Sequence, residues 1–354
     1  MSKAPVARSR ATMRDVAALA KVSLKTVSRV VNGETGVTPR LAKRVMAARD
    51  RLGYRHDLTA SSLRRSDGRS LTIGVVLEDV ANPFASTLHR AIEDVAVARR
   101  VLVLAGSSDE DEDRERQLVS AFASRRVDGL IIQPSSHDHS YLHADRSAGT
   151  PVVFVDRPPS FLDADAVVTD NCEGIRGAVR HLVEQGHRWI AYLGDMHSIA
   201  TAAERHQGYV EELAEQGIGV DAALVRLDLR GIEKAEAAAR EVLARPQRPT
   251  AIIAGQNLVT IGAFRALRAL DLHRRVALVG FDDFLLADLL EPGITVIAQD
   301  PAAIGRTAAA VLFRRLDGDR SPSQVHTVRT RLITRGSGEI RPVPPGGEGR
   351  GGAP

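Results

Sequence analysis

Residues 24–31 combine an apolar helical face with side chains of the kind that recognise DNA bases. Val27, Val30 and Val31 recur at positions i, i+3 and i+4, which indicates a helix with one side packed on a core. The opposite side carries Leu24, Lys25, Ser28 and Arg29. Basic side chains donate hydrogen bonds to base edges, and apolar ones contact the thymine methyl group. The stretch therefore predicts a short helix that recognises bases in the major groove.

Two further helices are predicted to position this helix. Thr12 and Asp15 have the spacing of a capping box for a first helix, whose predicted apolar stripe is Val16, Leu19 and Ala20. Ser23 has N-cap chemistry for the second helix, and Thr38-Pro39 begins a third that stops at Gly53. The third helix supplies the rest of a small core: Leu41, Val45, Ala48 and Leu52.

The charge of the chain is strongly uneven along its length. The net charge is +4, but residues 1–69 hold 16 Lys and Arg against 5 Asp and Glu, a balance of +11. The remainder holds 32 against 39, a balance of −7. Clustered cations favour a nucleic-acid-binding N-terminal segment, with a membrane surface as the weaker alternative.

The sequence favours a cytoplasmic protein of 354 residues with more than one domain. Its single cysteine, Cys172, excludes an intramolecular disulfide and a Cys-based zinc site, which is typical of a reducing compartment. No apolar run approaches the length of a membrane span, and the basic N-terminus leads into no signal-peptide core.

From Leu71 onward, short β-branched runs alternate with helical stretches, which is typical of parallel α/β sheets. The predicted strands begin near residues 71, 101, 129, 151, 189, 251, 276 and 294. The predicted helices span 84–100, 111–126, 171–185, 200–217, 231–244, 257–270 and 300–316. About 270 residues of this pattern exceed one typical doubly wound sheet and indicate two.

Catalytic and cofactor motifs are absent from the sequence. No G-x-G-x-x-G follows a predicted strand, and the sequence contains no GxxxxGK[ST] phosphate loop and no G-x-S-x-G nucleophile elbow. His137, Asp138, His139 and His143 are loosely spaced without a cysteine, and a solvated helix start explains them better than a metal site. We therefore expect neither a cofactor nor a bound metal.

Several polar side chains follow predicted strands, where ligands of open α/β sheets bind. Asp156 and Arg157 follow the fourth strand, and Gln256 and Asn257 follow a later one. Phe84 can supply an apolar wall near the end of the first strand. These residues are candidate ligand contacts, with ordinary loop ion pairs as the alternative.

The stretch D15-V-A-x-L-A-x-V-S-x-x-T-V-S-R-V-V-N32 resembles the helix-turn-helix of the LacI/GalR family of bacterial transcription regulators. Lys21 departs from the Gly or Asn common in that turn and is expected to adopt a positive φ. The resemblance continues to about Ile340 through RRVDGLIIQPSS, VVFVDRP, HLVEQGHRWIAYLGD, ERHQGY and VALVGFDDF.

For the DNA-binding part, the resemblance implies a domain over residues 12–57 and a hinge over 58–69. Leu24, Lys25 and Arg29 would face bases, whereas Thr12, Ser28 and Tyr54 would hold phosphates. The other predicted DNA contacts are Thr26, Asn32, Ala60 and Leu63. Leu63 would insert as a wedge into the minor groove, and the alternative is that residues 58–69 are a plain linker. Asp57 stands where the family has an amide, and its carboxylate is expected to weaken a contact with a DNA phosphate.

For the rest of the chain, the resemblance implies a periplasmic-binding-protein-like core over residues 70–340, made of two Rossmann-like subdomains. This core would dimerise and would bind a small molecule in the cleft between the subdomains. The first subdomain would hold 71–168 and 301–326. Arg205 and Asp282 align with the family's effector contacts, and a guanidinium with a carboxylate suits the hydroxyls of a sugar. Residues 1–11 and 341–354 are predicted to be a disordered basic arm and a disordered tail.

Three kinds of function are compatible with these sequence features. The favoured one is a regulator, most simply a repressor, that binds palindromic operator DNA as a homodimer or larger oligomer under control of a sugar-like effector. The second is a DNA-tethered enzyme, for which the sequence shows no catalytic constellation. The third is an architectural DNA-binding protein with an unresponsive body, against which the polar Arg205 and Asp282 cleft argues.

Overall fold

The computed structural model describes residues 11–31, 36–54 and 68–342 in two compact units, divided between Ser70 and Leu71. Most of the predicted arm, hinge and tail lies outside these residues, as do the predicted DNA contacts Asn32, Ala60 and Leu63. The first unit is called the head and the second the body. Within the described ranges, no helix has the length and apolar character needed to cross a bilayer.

The head consists of three helices at the predicted positions: α1 (Met13–Ala20), α2 (Leu24–Val31) and α3 (Pro39–Leu52). The Thr12 backbone N–H donates to the Asp15 carboxylate at 2.7 Å, and the Asp15 N–H donates back to the Thr12 hydroxyl at 3.3 Å. Lys21 ends α1 with φ 49°, as expected for a residue in the left-handed region. The Thr26 N–H donates to the Ser23 hydroxyl at 3.1 Å and so caps α2.

The small core of the head is built on one face of each helix. Its buried side chains are Val16, Ala17, Ala20, Val27, Val45 and Ala48. The prediction for Leu19 was wrong: this side chain is 41% exposed, and Ala17 occupies the buried position because the inner face of α1 is rotated toward it. Thr38 precedes α3 as predicted, but its side chain makes no capping hydrogen bond.

The body contains two six-stranded sheets. In the first, the spatial order is β11-β5-β4-β3-β1-β2, and every neighbouring pair is parallel. Its strands are β1 (Thr72–Leu77), β2 (Leu102–Ser107), β3 (Gly129–Ile132), β4 (Val152–Asp156), β5 (Asp165–Thr169) and β11 (Val325–Val328). Its longer helices are α4 (Pro83–Ala98), α5 (Glu112–Ser124) and α11 (Pro301–Leu316), with the short α6 (His143–Ser147) beside them.

The second sheet has the order β12-β10-β9-β8-β6-β7, and it is parallel except for β12. Its strands are β6 (Ile190–Leu193), β7 (Val225–Arg226), β8 (Ala251–Ala254), β9 (Ala277–Phe281), β10 (Thr295–Ala298) and β12 (Arg331–Ile333). Its helices are α7 (Asn171–Glu184), α8 (Ala200–Glu215), α9 (Ile232–Leu243) and α10 (Asn257–Ala269).

The chain passes between the two sheets three times, after β5, after β10 and after β11. Each sheet is covered on both faces by buried aliphatic side chains, so each forms a subdomain with its own core. The predicted fold class, a helix-turn-helix head followed by two Rossmann-like subdomains, is confirmed. Because side chains from the carboxyl ends of both sheets line one cavity, that cavity is the candidate ligand-binding site.

Candidate ligand cleft and DNA-binding head

A polar cavity lies between the two subdomains. The first sheet and its helices contribute Glu78, Asn82, Phe84, Gln133, Asp156 and Arg157. The second contributes Asp195, Ile199, Thr201, Ala202, Arg205, Gln256, Asp282 and Gln299. Six of the seven predicted ligand contacts therefore line it, and the seventh, Asn257, lies beside it.

Arg205 is a buried guanidinium with a defined orientation. Its side chain leaves α8, and the residue is only 5% exposed. Nε donates to Asn171 Oδ1 at 2.8 Å, Nη1 donates to the Gly255 carbonyl at 3.0 Å, and the group lies 3.9 Å from the centroid of the Phe281 ring. Since no described residue accepts a hydrogen bond from Nη2, this part of the fork is the one that can donate to a ligand.

Asp156 and Asp282 form equivalent arrangements in the two subdomains. Each stands at the carboxyl end of a strand in the left-handed region, with φ 70° and 69°. Each accepts a hydrogen bond from a glutamine at the end of the adjacent strand: Gln133 Nε2 to Asp156 at 3.2 Å and Gln299 Nε2 to Asp282 at 2.6 Å. Burial raises the pKa of Asp282, although Arg205 opposes that change. The two carboxyl groups are thus held as buried acceptors.

Arg157 lines the cavity but is engaged in an ion pair. Nη1 and Nη2 donate to the two Glu110 carboxylate oxygens at 2.8 and 2.5 Å, and Nη1 also donates to the Pro134 carbonyl at 2.6 Å. Sequence reasoning could not anticipate this partner, which is 47 residues away. The geometry favours the ion-pair alternative for Arg157 over direct ligand binding.

The amides at the start of α10 connect the two sides of the cavity. Asn257 Nδ2 donates to Asn82 Oδ1 at 3.0 Å, from the second subdomain to the first. Gln256 caps α10, because its Oε1 accepts from the Leu258 N–H at 2.9 Å and from the Val259 N–H at 3.3 Å. Phe84, half-buried beside the cap residue Asn82, supplies the predicted apolar wall.

Sequence reasoning missed two cavity carboxyl groups, Glu78 and Asp195. Glu78 is the first residue after β1 and Asp195 the second after β6, and this position is the signal that could have found them. Burial, then the charge of Glu110, raises the pKa of Glu78 to about 7, and Asp195 and Asp156 contribute further. Burial also raises the pKa of Asp195. The cavity is therefore richer in acidic groups than predicted.

Replacing Glu78 with glutamine is expected to stabilise the ligand-free protein at pH 8 but not at pH 5. A carboxyl group whose folded pKa is about 7, against its usual 4.5, binds its proton more tightly in the folded state. The free energy of unfolding therefore falls as pH rises from 4.5 to 7, by about 1 to 3 kcal/mol. Urea unfolding at both pH values measures this, with the exposed Glu291→Gln as control. Equal stabilisation at both values would contradict it.

The head presents some of its predicted DNA contacts more openly than others. Lys25 is exposed and Leu24 is 40% exposed, whereas Thr26, Ser28 and Arg29 are half-buried. Ser28 and Arg29, which were predicted to face outward, are thus only partly exposed. Tyr54 packs partly against the head's core. The Thr12 hydroxyl donates to the Asp15 carboxylate at 2.7 Å, so binding a phosphate would require it to exchange that partner.

The histidine-rich segment near residue 140 is packed rather than fully solvated. His139 is 1% exposed, its ring lies 4.8 Å from that of Phe154, and its Nδ1 accepts from the Ser160 N–H at 2.9 Å. The prediction of a solvated segment was wrong for this residue, because its ring fills the core beside β4. In the described part of the chain, no group of His, Cys, Asp and Glu side chains has the arrangement of a metal site.

Comparison with known proteins agrees with this architecture. Residues 12–57 match the family described as bacterial regulatory proteins, lacI family, and residues 179–338 match a periplasmic binding protein-like domain. Catabolite control protein A of Priestia megaterium is 30% identical over 333 residues, covering 92% of this chain and 98% of that protein. The HTH-type transcriptional regulator GalS of Salmonella typhimurium is 31% identical, covering 92% and 96%.

Solved structures show the same relationship. The Lac repressor dimer bound to operator and the anti-inducer ONPF superposes with a TM-score of 0.81 at 26% identity, covering 93% of this chain and 99% of that one. A complex of the transcriptional regulator CelR with cellobiose gives 0.68 at 31% identity, covering 93% and 100%. These relatives are regulators rather than enzymes. The chain belongs to the LacI family and is a DNA-binding transcription regulator.

Proposed function

We propose that this regulator is a homodimeric repressor that binds a palindromic operator in the cytoplasm. Its affinity for the operator falls or rises when a small hydroxylated molecule occupies the cleft. The observation that carries the proposal is the polar cavity between the subdomains, with Arg205 and Asp282 buried in its wall. A guanidinium fork and carboxylates complement the donors and acceptors of a polyol.

Two of the similar structures support a cleft ligand. One contains cellobiose and another contains ONPF together with operator DNA, and both share the arrangement of this body. We extend the presence of a small-molecule ligand to this chain because its cavity also carries polar groups from both subdomains. A thermal-shift screen of sugars, sugar acids and nucleosides on the full chain tests the proposal, and a melting temperature unmoved by every class would contradict it.

An exposed leucine cluster supports the homodimer. Leu285, Leu286 and Leu289 are 83%, 54% and 71% exposed on one segment after β9, and we call them the leucine patch. Clustered exposed apolar side chains mark interaction surfaces. A single helix-turn-helix also buries too little surface for tight specific binding. Pairing two chains through the leucine patch would place two heads on one operator.

Control would operate through the segment that links the head to β1. Residues 58–69 precede Thr72, the first residue of β1, and therefore connect the DNA-binding unit to the first subdomain. A ligand that favours one relation of the subdomains changes where the two β1 strands of a dimer begin. Such coupling typically amounts to about 1 to 3 kcal/mol and needs different ligand affinity in the two states.

Within the head, we expect Lys25→Ala to relax base preference and Tyr54→Phe to weaken binding uniformly. Lys25 is exposed at the start of α2, where a side chain reaches base edges, and losing one base contact costs about 1 to 3 kcal/mol at one operator position. Loss of the Tyr54 hydroxyl removes a proposed phosphate contact and affects all sequences alike.

Binding of both variants to a set of base-substituted operators separates these two effects. The structural control is the melting temperature of the head, which the exposed Lys25 should not alter. A uniform loss for Lys25→Ala, or a change of base preference for Tyr54→Phe, would reverse the assignment of the two residues.

A further inference from the structure

The charges lining the cleft do not balance. Four carboxyl groups from the two subdomains line it: Glu78, Asp156, Asp195 and Asp282. Of the two guanidinium groups, Arg157 donates to both oxygens of Glu110, which does not line this cavity, and its Nε also lies 3.5 Å from the Asp156 carboxylate. The described lining residues therefore place four carboxyl groups against two guanidinium groups, and one of these, Arg157, is shared with Glu110. A neutral sugar would leave this excess of acidic over basic groups unchanged.

The cleft also has an unsatisfied acceptor that is independent of the carboxyl groups. Gln299 donates its amide to Asp282 at 2.6 Å, which fixes the opposite end of the side chain as an acceptor. That Oε1 atom is buried and finds no donor among the described residues. Because a buried acceptor without a donor is unfavourable, the site is built for a partner that brings N–H or O–H groups.

The acidic groups interact with each other across the cleft. After burial, the charge of Asp156 in the first subdomain contributes to the raised pKa of Asp282 in the second. In the same way, Asp195 contributes to the raised pKa of Glu78. Bringing the subdomains together therefore carries a cost from like charges, which a positive charge placed between them would offset.

We propose that the effector of this cleft is a cationic polyol, a hydroxylated compound bearing a protonated amine, with the amine near Asp156 and Asp282 and the hydroxyls on Arg205 and Gln299. The inference rests on the proposed function and specifies its ligand class. An ammonium group supplies three donors and the missing charge, and hydrogen bonds between charged groups are about twice as strong as neutral ones. Replacing that amine with a hydroxyl should weaken the effect on operator affinity by roughly tenfold or more.

The test uses matched compounds on the full chain with an operator duplex selected by the protein itself. Glucosamine, galactosamine, mannosamine and glucamine are each compared with the parent sugar or polyol, and glucosamine also with N-acetylglucosamine, in which the amine is neutral. Operator affinity is measured by fluorescence anisotropy. We expect at least one amine to change it at a concentration roughly tenfold lower than its neutral counterparts require.

Charge-neutralising variants locate the effect. Asp156→Asn and Asp282→Asn keep the shape of each side chain and the acceptor for its glutamine, and each should remove most of the advantage of the amine. Asp271→Asn is the matched control, because Asp271 is 98% exposed and also has a positive φ, 54°, that asparagine tolerates. Melting temperatures establish that each variant is folded.

A response confined to neutral or anionic compounds would overturn the inference while leaving the proposed function intact. An amine response that survives in both cleft variants would also overturn it. The inference would also be overturned if no compound of the matched panel changed operator affinity. The wider screen of sugars, sugar acids and nucleosides then tests the proposed function separately.

Discussion

Replacing Leu289 with glutamate is expected to convert the protein to a monomer and to lower its affinity for operator by roughly a hundredfold to ten-thousandfold. Leu289 is 71% exposed within the leucine patch, where a carboxylate would be buried against apolar side chains of a second copy. Two linked heads gain affinity because the second binds at high effective concentration, and that gain disappears in a monomer.

The folded chain itself should tolerate this substitution. A change at a surface position usually alters stability by no more than about 0.5 kcal/mol. Sedimentation velocity gives the oligomeric state and anisotropy gives the operator affinity. Val220→Glu is the control, since Val220 is an apolar residue outside the leucine patch that is 40% exposed. A Leu289→Glu protein that remains dimeric would show that the interface lies elsewhere.

Arg205→Met is expected to abolish the response to a cleft ligand while preserving operator binding in its absence. Methionine is an unbranched apolar side chain that can still pack on Phe281, but it removes the guanidinium group and with it every donor at this position. Loss of charged hydrogen bonds to the ligand should lower its affinity about a hundredfold, equivalent to about 2.7 kcal/mol. Operator binding is retained because Arg205 belongs to the body and not to the DNA-binding head.

The variant also leaves Asn171 Oδ1 and the Gly255 carbonyl without a donor, so about 1 to 3 kcal/mol of stability should be lost. Arg205→Lys provides a second variant, in which the charge remains but the planar fork is lost, and we expect an intermediate response. Arg240→Met, at an exposed pair with Glu236, is the control. A full ligand response in Arg205→Met would remove this residue from the site.

The helices of the head were predicted well because their capping and turn residues lie close together in the sequence. The capping box joins residues three apart, and the positive φ of Lys21 follows from the tight turn between two caps. The error at Leu19 arose because two neighbouring faces of α1 are both apolar, and only packing against the other helices decides between them.

The body was predicted less completely, for reasons that lie in tertiary structure. Most buried strands form continuous apolar runs and were predicted, whereas β7, β11 and β12 at the sheet edges are short and partly exposed. The buried strand β5 was not predicted. Edge strands lack the hydrophobic signal that periodicity requires.

The residues of the cleft were also predicted incompletely, because tertiary structure brings them together. Arg205 and Asp282 were identified by resemblance, and Asp156 by its place after a strand. Glu78, Asp195 and the two glutamines also follow strands, but single polar residues after a strand are common. Only the order of strands in each sheet brings them to one cavity. The pairing of Arg157 with Glu110 likewise depends on contacts that no local pattern contains.

The central claim is that occupation of the cleft controls binding to DNA, and titration of operator affinity with a cleft ligand tests it most directly. Fluorescence anisotropy of the full chain on its selected operator, with increasing ligand, should show affinity changing by roughly 5-fold to 150-fold in the wild type. The same titration of Arg205→Met should be flat at the same operator affinity. An operator affinity that no cleft ligand alters in the wild type, although binding to the body is demonstrated by calorimetry, would contradict the account.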